Sequence, residues 1–284
     1  MSAPALPSRA PRLRAPAGAC DTHMHFYAAR YPRHPDGPAP PPDATPAEYL
    51  ALMAALGIGR VVVVQPNAYG DDNRCTLDAV AALGAGRARA VVAVRPDVDE
   101  AALLAMHAAG ARAVRVMDLP GGFTKLAALH ETAARVAPLG WHPIVQLDGR
   151  QLPHWEASLA RLPGPYVIDH VGKFLEPVAP DDDAFRVLLR LVGRGNCWVK
   201  LSAAYETSRI GAPRYEDVGA LAAALVRAAP ERMLWASNWP HPSARPDAIP
   251  DDADLLDVLL DWAPREADRQ HILVDSPAAL YGFD

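Results

Sequence analysis

The sequence predicts an α/β fold, a single-domain (β/α)8 or TIM barrel over residues 17–284. Eight short apolar runs alternate with Ala- and Leu-rich stretches of helical spacing, which is the element order of such a barrel. Runs such as Val61–Val64 and Ala90–Val94 are apolar at every position, as in strands that are buried on both faces. The length of 284 residues suits one domain of this kind.

The predicted elements follow in order along the chain. We expect strands at Gly18–Thr22, Arg60–Gln65, Arg89–Val94, Ala111–Met117, His142–Leu147, Tyr166–Asp169, Cys197–Leu201 and Met233–Ser237. We expect helices at Pro46–Leu56, Cys75–Ala85, Glu100–Ala108, Ala127–Ala137, His154–Arg161, Asp183–Gly193 and Asp217–Ala228. Gly57, Gly110 and Gly140 each follow a helical stretch, where glycine often ends a helix. A doubly wound sheet is the alternative, but no GxGxxG turn follows the first strand, and this disfavours a nucleotide-binding fold.

Two segments differ from the rest. Residues 1–16 are rich in Pro, Ala and Arg without the apolar core of a secretory signal, so we expect a flexible leader rather than a targeting peptide. Residues 26–46 follow the first strand and contain seven prolines. A loop this long in a compact domain is usually functional, and we expect it to act as a lid.

The composition excludes several classes of partner. The net charge is −5, which gives no footprint for nucleic acid, and no apolar run approaches the length of a membrane span. Three cysteines without CxxC spacing indicate reduced thiols and a cytoplasmic protein. A homo-oligomer stays open. Of the 28 basic residues only Lys125, Lys173 and Lys200 are lysines, and all three map towards the carboxyl ends of predicted strands.

Polar and basic side chains follow nearly every predicted strand. In a barrel these strand ends form the catalytic face. The candidates are His23, His25, Asn67, Tyr69, Arg115, Gln146, His170, Lys173, Lys200, Tyr205, Arg209, Asn238 and His241. His23 and His25 share one face of a strand because side chains alternate, and two convergent imidazoles suit either a metal or the polarisation of a carbonyl oxygen.

The motifs GACDTHMHFY, QPNAYGDDNRCTLDAV, DHVGKFLEP, WVKLS, LWASNWPHPS and SPAALYGF resemble the amidohydrolase superfamily. Within it they are most similar to the branch of 2-pyrone-4,6-dicarboxylate lactonase and galactarolactone isomerase (amidohydrolase-related family 2). The resemblance covers residues 18–284 and implies a hydrolase that opens the lactone ring of a small carboxylated compound. It also implies that His23, His25, His170 and Asn238 occupy the catalytic positions.

The resemblance favours a reaction without a cofactor. Metal-bearing members use carboxylates or histidines where this chain has Arg115, Gln146 and Asn238, and amides are poor zinc ligands. We therefore expect the three histidines to polarise the carbonyl directly. If zinc were bound, His23, His25 and His170 would be its ligands. The alternatives are a metal-dependent lactonase or decarboxylase, a lactone isomerase, and a carboxylate-binding barrel without turnover.

The expected substrate is a small anion, because arginine and lysine bind carboxylates. Arg115, Lys173 and Arg209 are the main candidates for this contact, and we assign substrate binding also to Lys200, Tyr69, Asn67, Gln146, Tyr205 and His241. Lys173 stands where the lactonase has Arg, which keeps the charge but loses the bidentate fork.

Asn238 is the main departure from the family pattern. The family motif W-G-T-D-W-P-H places a general base, an aspartate, where this chain has W-A-S-N-W-P-H, and an amide cannot act as that base. Three explanations are compatible with the sequence. An Asp→Asn change was introduced, or the chain naturally uses His170, His241 or Asp148 as its base, or the protein is a weak enzyme or a binding relative. We favour the second explanation.

Overall fold

The computed structural model describes residues 5–283, and residues 1–4 of the predicted leader lie outside them. Eight parallel strands form one sheet in the order of the chain. They are β1 (Cys20–Met24), β2 (Arg60–Val64), β3 (Ala88–Val92), β4 (Ala111–Met117), β5 (His142–Gln146), β6 (Tyr166–Ile168), β7 (Cys197–Leu201) and β8 (Met233–Trp235). The backbone N–H of Asn238 donates to His23 O at 2.8 Å, so that the segment after β8 meets β1 and the sheet curls into a nearly closed barrel. The predicted fold class is confirmed.

Helices surround the strands. They are α1 (Pro46–Leu56), α2 (Arg74–Leu83), α3 (Glu100–Ala108), α4 (Leu129–Val136), α5 (Leu152–Leu159), α6 (Asp183–Gly193), α7 (Glu216–Ala228), α8 (Asp252–Asp257), α9 (Leu259–Trp262), α10 (Glu266–Gln270) and α11 (Ser276–Tyr281). The bounds of α1, α3, α6, β4 and β7 are as predicted. None of these helices is long and apolar enough to cross a membrane, within residues 5–283.

Local chemistry explains why α1 is predictable at both ends. The Thr45 hydroxyl accepts from the backbone N–H of Glu48, whose carboxylate in turn accepts from the backbone N–H of Thr45, and this reciprocal capping box satisfies two N-terminal donors. Gly57 ends the helix at φ 73°, in the left-handed region where a Cβ is costly.

The predicted bounds are wrong where tertiary contacts decide. We expected β1 to begin at Gly18, but it begins two residues later, because Gly18 adopts φ 78° and its backbone O accepts from the Arg60 guanidinium. β8 ends at Trp235 rather than Ser237. The segment after β8 contains α8–α11, which no predicted element covers, because each is at most six residues long and shows no extended helical periodicity.

The segment predicted as a flexible leader makes defined contacts. Ser8 donates to the Asp251 carboxylate at 2.8 Å through its N–H, and the Leu13 N–H donates to Asp257 at the same distance. The Arg9 guanidinium pairs with Asp257 at 2.8 Å. Leu13 is buried. Residues 8–13 are therefore bound along α8.

The segment predicted as a lid lies over the strand ends. Tyr27 and Ala44 exchange backbone hydrogen bonds at 3.2 and 2.8 Å, which closes the base of the loop. The His34 N–H donates to Ala68 O at 2.8 Å, tying the loop to the segment after β2. Pro38 and Pro41 line the cavity described below.

His142 provides a test of the buried interior at the other end of the barrel. It is the first residue of β5, buried beneath the Tyr281 ring, and neither of its ring nitrogens has a hydrogen-bond partner within residues 5–283. Burial lowers the pKa of His142 to about 3. The unfolded chain takes up a proton below about pH 6.5 while the folded chain does not, so stability falls as the pH drops below that value.

We expect His142→Leu to be less sensitive to acid than the parent protein. Between pH 6 and pH 4, the free energy of unfolding of the variant should fall less steeply than that of the parent protein. The difference between the two slopes should reach up to about 1.4 kcal/mol per pH unit. Urea unfolding at several pH values measures the slope. All other titrating groups are shared, so the difference isolates His142. The exposed His154 gives the matched control, because His154→Leu should keep the parent slope, and equal slopes for all three proteins would contradict the prediction.

Candidate active site

A cavity of about 370 Å³ opens at the carboxyl ends of the strands. Side chains from five strand ends line it: His25, Arg115, Gln146, His170, Lys173 and Asn238. Asn67, Glu206 and the loop residues Pro38, Ala39 and Pro41 complete the wall. A larger surface groove of about 570 Å³ lies beside α3 and α4, away from these strand ends. We therefore place the active site in the cavity at the strand ends.

His23 and His25 form a hydrogen-bonded pair at the end of β1. Their Nε2 atoms are 3.2 Å apart. His25 Nδ1 lies 2.8 Å from Val64 O, a pure acceptor, so Nδ1 carries the proton and Nε2 of a neutral ring does not. His23 Nδ1 lies 3.0 Å from the Lys200 ammonium, a pure donor, so the His23 proton is on Nε2 and points at His25.

This arrangement restricts what the pair can do. Burial lowers the pKa of His25 to about 3, and it lowers the pKa of His23 well below its ordinary value. Both rings are therefore neutral at pH 7. The lone pair of His25 Nε2 then faces His23, and a neutral His25 has no further N–H to offer a carbonyl oxygen. The prediction that all three histidines donate to the carbonyl is therefore not supported for His23 and His25 in this state.

His170 has the free ring nitrogen that the pair lacks. Its Nδ1 lies 2.9 Å from the Ser202 hydroxyl, and its Nε2 has no hydrogen-bond partner among the described residues. The ring lines the cavity. Burial lowers the pKa of His170 well below its ordinary value, although the Asp169 carboxylate opposes this effect. A serine hydroxyl can donate or accept, so neutral His170 can present either an N–H or a lone pair to a ligand.

Behind the histidines lies a fully buried ion pair. Lys200 Nζ is 3.1 Å from Asp169 Oδ1, and both side chains are completely inaccessible to solvent. Asp169 Oδ1 is also 3.4 Å from His23 Nδ1. Burial lowers the pKa of Lys200, while Asp169 raises it. Lys200 thus does not reach the cavity, and its observed contacts fix the ring of His23 instead of binding substrate.

Among residues 5–283, Arg115 is the cation that lines the cavity without a carboxylate partner. Its guanidinium donates to Gln65 O at 3.0 Å and to Gln146 Oε1 at 2.9 Å, both neutral acceptors. Its Nε is buried without a partner among the described residues. Gln146 therefore orients Arg115. A buried cation that meets only neutral acceptors is a favourable place for an anionic ligand.

A second polar group follows strands β6, β7 and β8. The Lys173 ammonium contacts the Glu206 carboxylate. Asn238 Nδ2 donates to the Tyr205 hydroxyl at 2.8 Å and to Glu206 Oε1 at 3.3 Å. Burial lowers the pKa of Lys173 to about 8. His241 lies beneath this group, between the Tyr205 hydroxyl and the Asp252 carboxylate, each at 3.3 Å.

The backbone at these two strand ends is strained. His170, Lys173, Asn238 and His241 all have φ between 50° and 62°, the left-handed region that non-glycine residues rarely adopt. Asparagine tolerates this region better than most residues. Such conformations are typical of functional sites, where the surrounding structure holds them in place.

Several predicted residues lie elsewhere. The Tyr69 hydroxyl bonds to the backbone of Ala28 within the lid-like loop. Arg209 is 71% exposed at its side chain and pairs with Glu176, outside the cavity lining, which corrects its placement as a cavity residue. Asp148, a candidate base, is held by Arg150 at 2.6 Å and does not line the cavity.

Sequence reasoning missed three acidic residues. Asp169 precedes His170 and pairs with Lys200, and Glu206 lines the cavity. Asp21 is buried and accepts from the hydroxyls of Ser237 and Tyr49, which joins β1 to the segment after β8. Burial raises the pKa of Asp21 to about 6. The DTHMH and IDH sequences contained a usable signal, because an acidic residue inside a strand-end motif needs a buried partner.

One group of possible metal ligands already meets a cation. His23, Asp169 and His170 each offer one ligand atom, all within 4.8 Å of one another. The Lys200 ammonium is 3.0 Å from His23 Nδ1 and 3.1 Å from Asp169 Oδ1, and Arg115 adds a further positive charge on the cavity side. A divalent metal does not fit at these two atoms while Lys200 keeps its proton and its position.

The comparisons with known proteins agree with this geometry. The family model described as amidohydrolase matches residues 20–283. The chain belongs to the amidohydrolase family. It is 41% identical to D-galactarolactone isomerase of Agrobacterium fabrum over 97% of this chain and 95% of that one. It is 35% identical to 2-pyrone-4,6-dicarboxylate hydrolase of Comamonas testosteroni over 95% of this chain and 92% of that one.

A solved structure supports the same assignment. An apo protein from Agrobacterium tumefaciens superposes with a TM-score of 0.94 at 40% identity, over 99% of both chains. The predicted resemblance to this branch of the amidohydrolases is confirmed, and the chain is an enzyme of that family. The family places its chemistry at the strand ends, where the cavity lies.

Proposed function

We propose that this amidohydrolase opens the ester bond of a small lactone that carries a carboxylate, without a metal ion. The cavity carries the proposal: the same cavity is lined by His170, which has a free ring nitrogen, and by Arg115, whose guanidinium donates only to neutral acceptors among the described residues. One relative is named as an isomerase of a lactone and another as a hydrolase of a pyrone dicarboxylate. These names support a lactone ester as the reacting bond and a carboxylate as the charged group of the substrate.

The residues divide into two tasks. Arg115 binds the substrate carboxylate with its guanidinium, and Gln146 holds it in orientation. The Nε2–H of His170 donates to the carbonyl oxygen, where negative charge develops as the acceptor oxygen attacks. Pro38, Ala39 and Pro41 of the loop at residues 26–46 form part of the wall around the substrate. No step requires Lewis-acid chemistry from a metal.

The acceptor oxygen decides between two outcomes. In hydrolysis it belongs to water, and the ring opens. In isomerisation it belongs to a hydroxyl group of the substrate, and one ring ester replaces another. Isomerisation is the alternative to hydrolysis, and Asn238 is the observation that favours it. An amide cannot activate a water molecule as a base, while the binding contacts already hold a substrate hydroxyl beside the carbonyl.

The experiment compares lactones with and without a carboxylate. We expect turnover of the carboxylated lactones, unchanged by a chelator, and poor turnover of their methyl esters. Arg115→Gln should lower kcat/KM for the carboxylated compounds by about 10²-fold or more, through loss of a charge-assisted contact of about 3 kcal/mol, and leave the esters little affected. Product analysis separates ring opening from isomerisation. Stoichiometric zinc with activity lost to the chelator would contradict the metal-free proposal, and equal losses for acids and esters would contradict the role of Arg115.

A further inference from the structure

Glu206 places a carboxylate in the cavity that the family motif does not predict. It ends the turn Ala204–Glu206 after β7, and its side chain is only 6% exposed. Among the described residues that line the cavity, it is the one that carries a carboxylate. The other acids near the histidines are excluded by position, because Asp169 lies behind them in the ion pair with Lys200.

Both oxygens of Glu206 have a partner within the cavity wall. Oε1 accepts from Asn238 Nδ2 at 3.3 Å, and Oε2 contacts the Lys173 ammonium. An ionised carboxylate has about four lone-pair sites, so these two contacts do not use its full capacity to accept. Because Glu206 lines the cavity, a water molecule or a substrate hydroxyl can donate to it as well.

Asn238 and Glu206 are complementary. The amide of Asn238 donates to both the Tyr205 hydroxyl and Glu206, which a carboxylate at position 238 could not do. An aspartate there would instead place two negative charges within about 4 Å, which disfavours ionisation of both. The amide at the end of β8 thus fits a carboxylate that stands beside it, at the end of β7.

We propose that Glu206 is the proton acceptor of the reaction, in place of the aspartate that the family motif has at position 238. This inference rests on the proposed lactone chemistry. As the acceptor oxygen bonds to the carbonyl carbon, its proton passes to Glu206. As the ring C–O bond breaks, Glu206 returns that proton to the leaving oxygen. Water is consumed in hydrolysis and not in isomerisation, and the enzyme ends each cycle with its protons unchanged.

The test moves the carboxylate between the two positions. Glu206→Gln should lower kcat by about 10²–10⁴-fold with a smaller change in KM. The double variant Glu206→Gln/Asn238→Asp restores a carboxylate a few ångströms away and should regain at least tenfold in kcat. Glu216, exposed at the start of α7, gives the matched control, and Glu216→Gln should retain the parent kcat. Thermal melting of each variant confirms folding.

Other results would overturn the inference. If Glu206 only neutralises Lys173, Glu206→Gln keeps kcat and changes KM for carboxylated lactones. A loss of kcat that the double variant does not restore would indicate a structural role and would likewise overturn it. Glu206→Ala with added formate provides a second readout should Glu206→Gln fail to fold, and lack of rescue there counts against the inference. Failure of the parent protein on every lactone would instead reject the proposed function itself.

Discussion

Asn238→Asp is expected to lower the rate of lactone turnover at pH 7 by about tenfold or more. The new carboxylate would stand beside Glu206, the proposed proton acceptor, and two adjacent carboxylates disfavour each other's ionisation, whereas a positioned, ionised base contributes about 10²–10⁴ in rate. The change is compatible with the backbone, because aspartate, like asparagine, tolerates the φ of 60° found there. The Tyr205 hydroxyl, 2.8 Å from the amide nitrogen, can turn to donate to the new carboxylate.

The loss should depend on pH. Glu206 lies 3.3 Å from the amide nitrogen that the new carboxylate replaces, so repulsion should raise the pKa of one of the two acids. Hydrolysis by the variant should therefore rise with pH as that acid loses its proton. Rates of ring opening between pH 5 and pH 9 measure this. Asn238→Gly removes the amide without backbone strain and without a new charge, and an equal loss with the same pH dependence in that control would rule out repulsion between the two carboxylates. A gain of about 10²-fold in Asn238→Asp would contradict the prediction and mark Asn238 as a disabled base.

Lys200→Met is expected to destabilise the protein by about 3–5 kcal/mol. The substitution leaves the Asp169 carboxylate buried without its ion pair, 3.1 Å from the vacated ammonium position, and breaking a buried pair from one side carries a cost of this size. It also removes the donor that fixes the ring of His23. Urea unfolding at pH 7 gives the change in the free energy of unfolding.

Two further variants check the cause of that loss. Lys200→Met/Asp169→Asn removes both charges and should recover much of the stability, since replacing a buried pair as a whole costs far less than breaking it. Lys125 is exposed and donates only to Leu119 O at 3.2 Å, so Lys125→Met should change stability by no more than about 0.5 kcal/mol. Equal losses in the free energy of unfolding for Lys125→Met and Lys200→Met would show that breaking the buried ion pair costs no more than removing an exposed lysine.

The rarity of lysine acquires a different meaning at each position. Lys200 is fully buried, Lys173 lines the cavity, and Lys125 lies exposed in the loop after β4. A guanidinium is larger than an ammonium and presents a planar fork. It would therefore fit poorly in the closed space between Asp169 and His23, whereas Lys125 is free of that constraint.

Local pattern predicted most of the barrel. Apolar runs identified the strands, and Gly57 marked the C-terminal end of α1, because these signals depend on neighbours in the sequence. The short helices α8–α11 lack such periodicity. Their stability comes from packing against the barrel, as the burial of Leu256, Leu259 and Tyr281 indicates, and packing partners distant in sequence leave no local signal.

The sequence by itself determined which functional groups lie at the catalytic face, because a parallel barrel brings the carboxyl end of every strand to one face. It identified His25, Arg115, Gln146, His170, Lys173 and Asn238, which line the cavity. Tertiary structure alone decided their partners. Atoms contributed by other strands decide whether a lysine faces the cavity or pairs with an aspartate. They also decide which ring nitrogen of a histidine carries a proton. Glu206 and Asp169 became visible only there, since each acquires its meaning from a cation or an amide on another element.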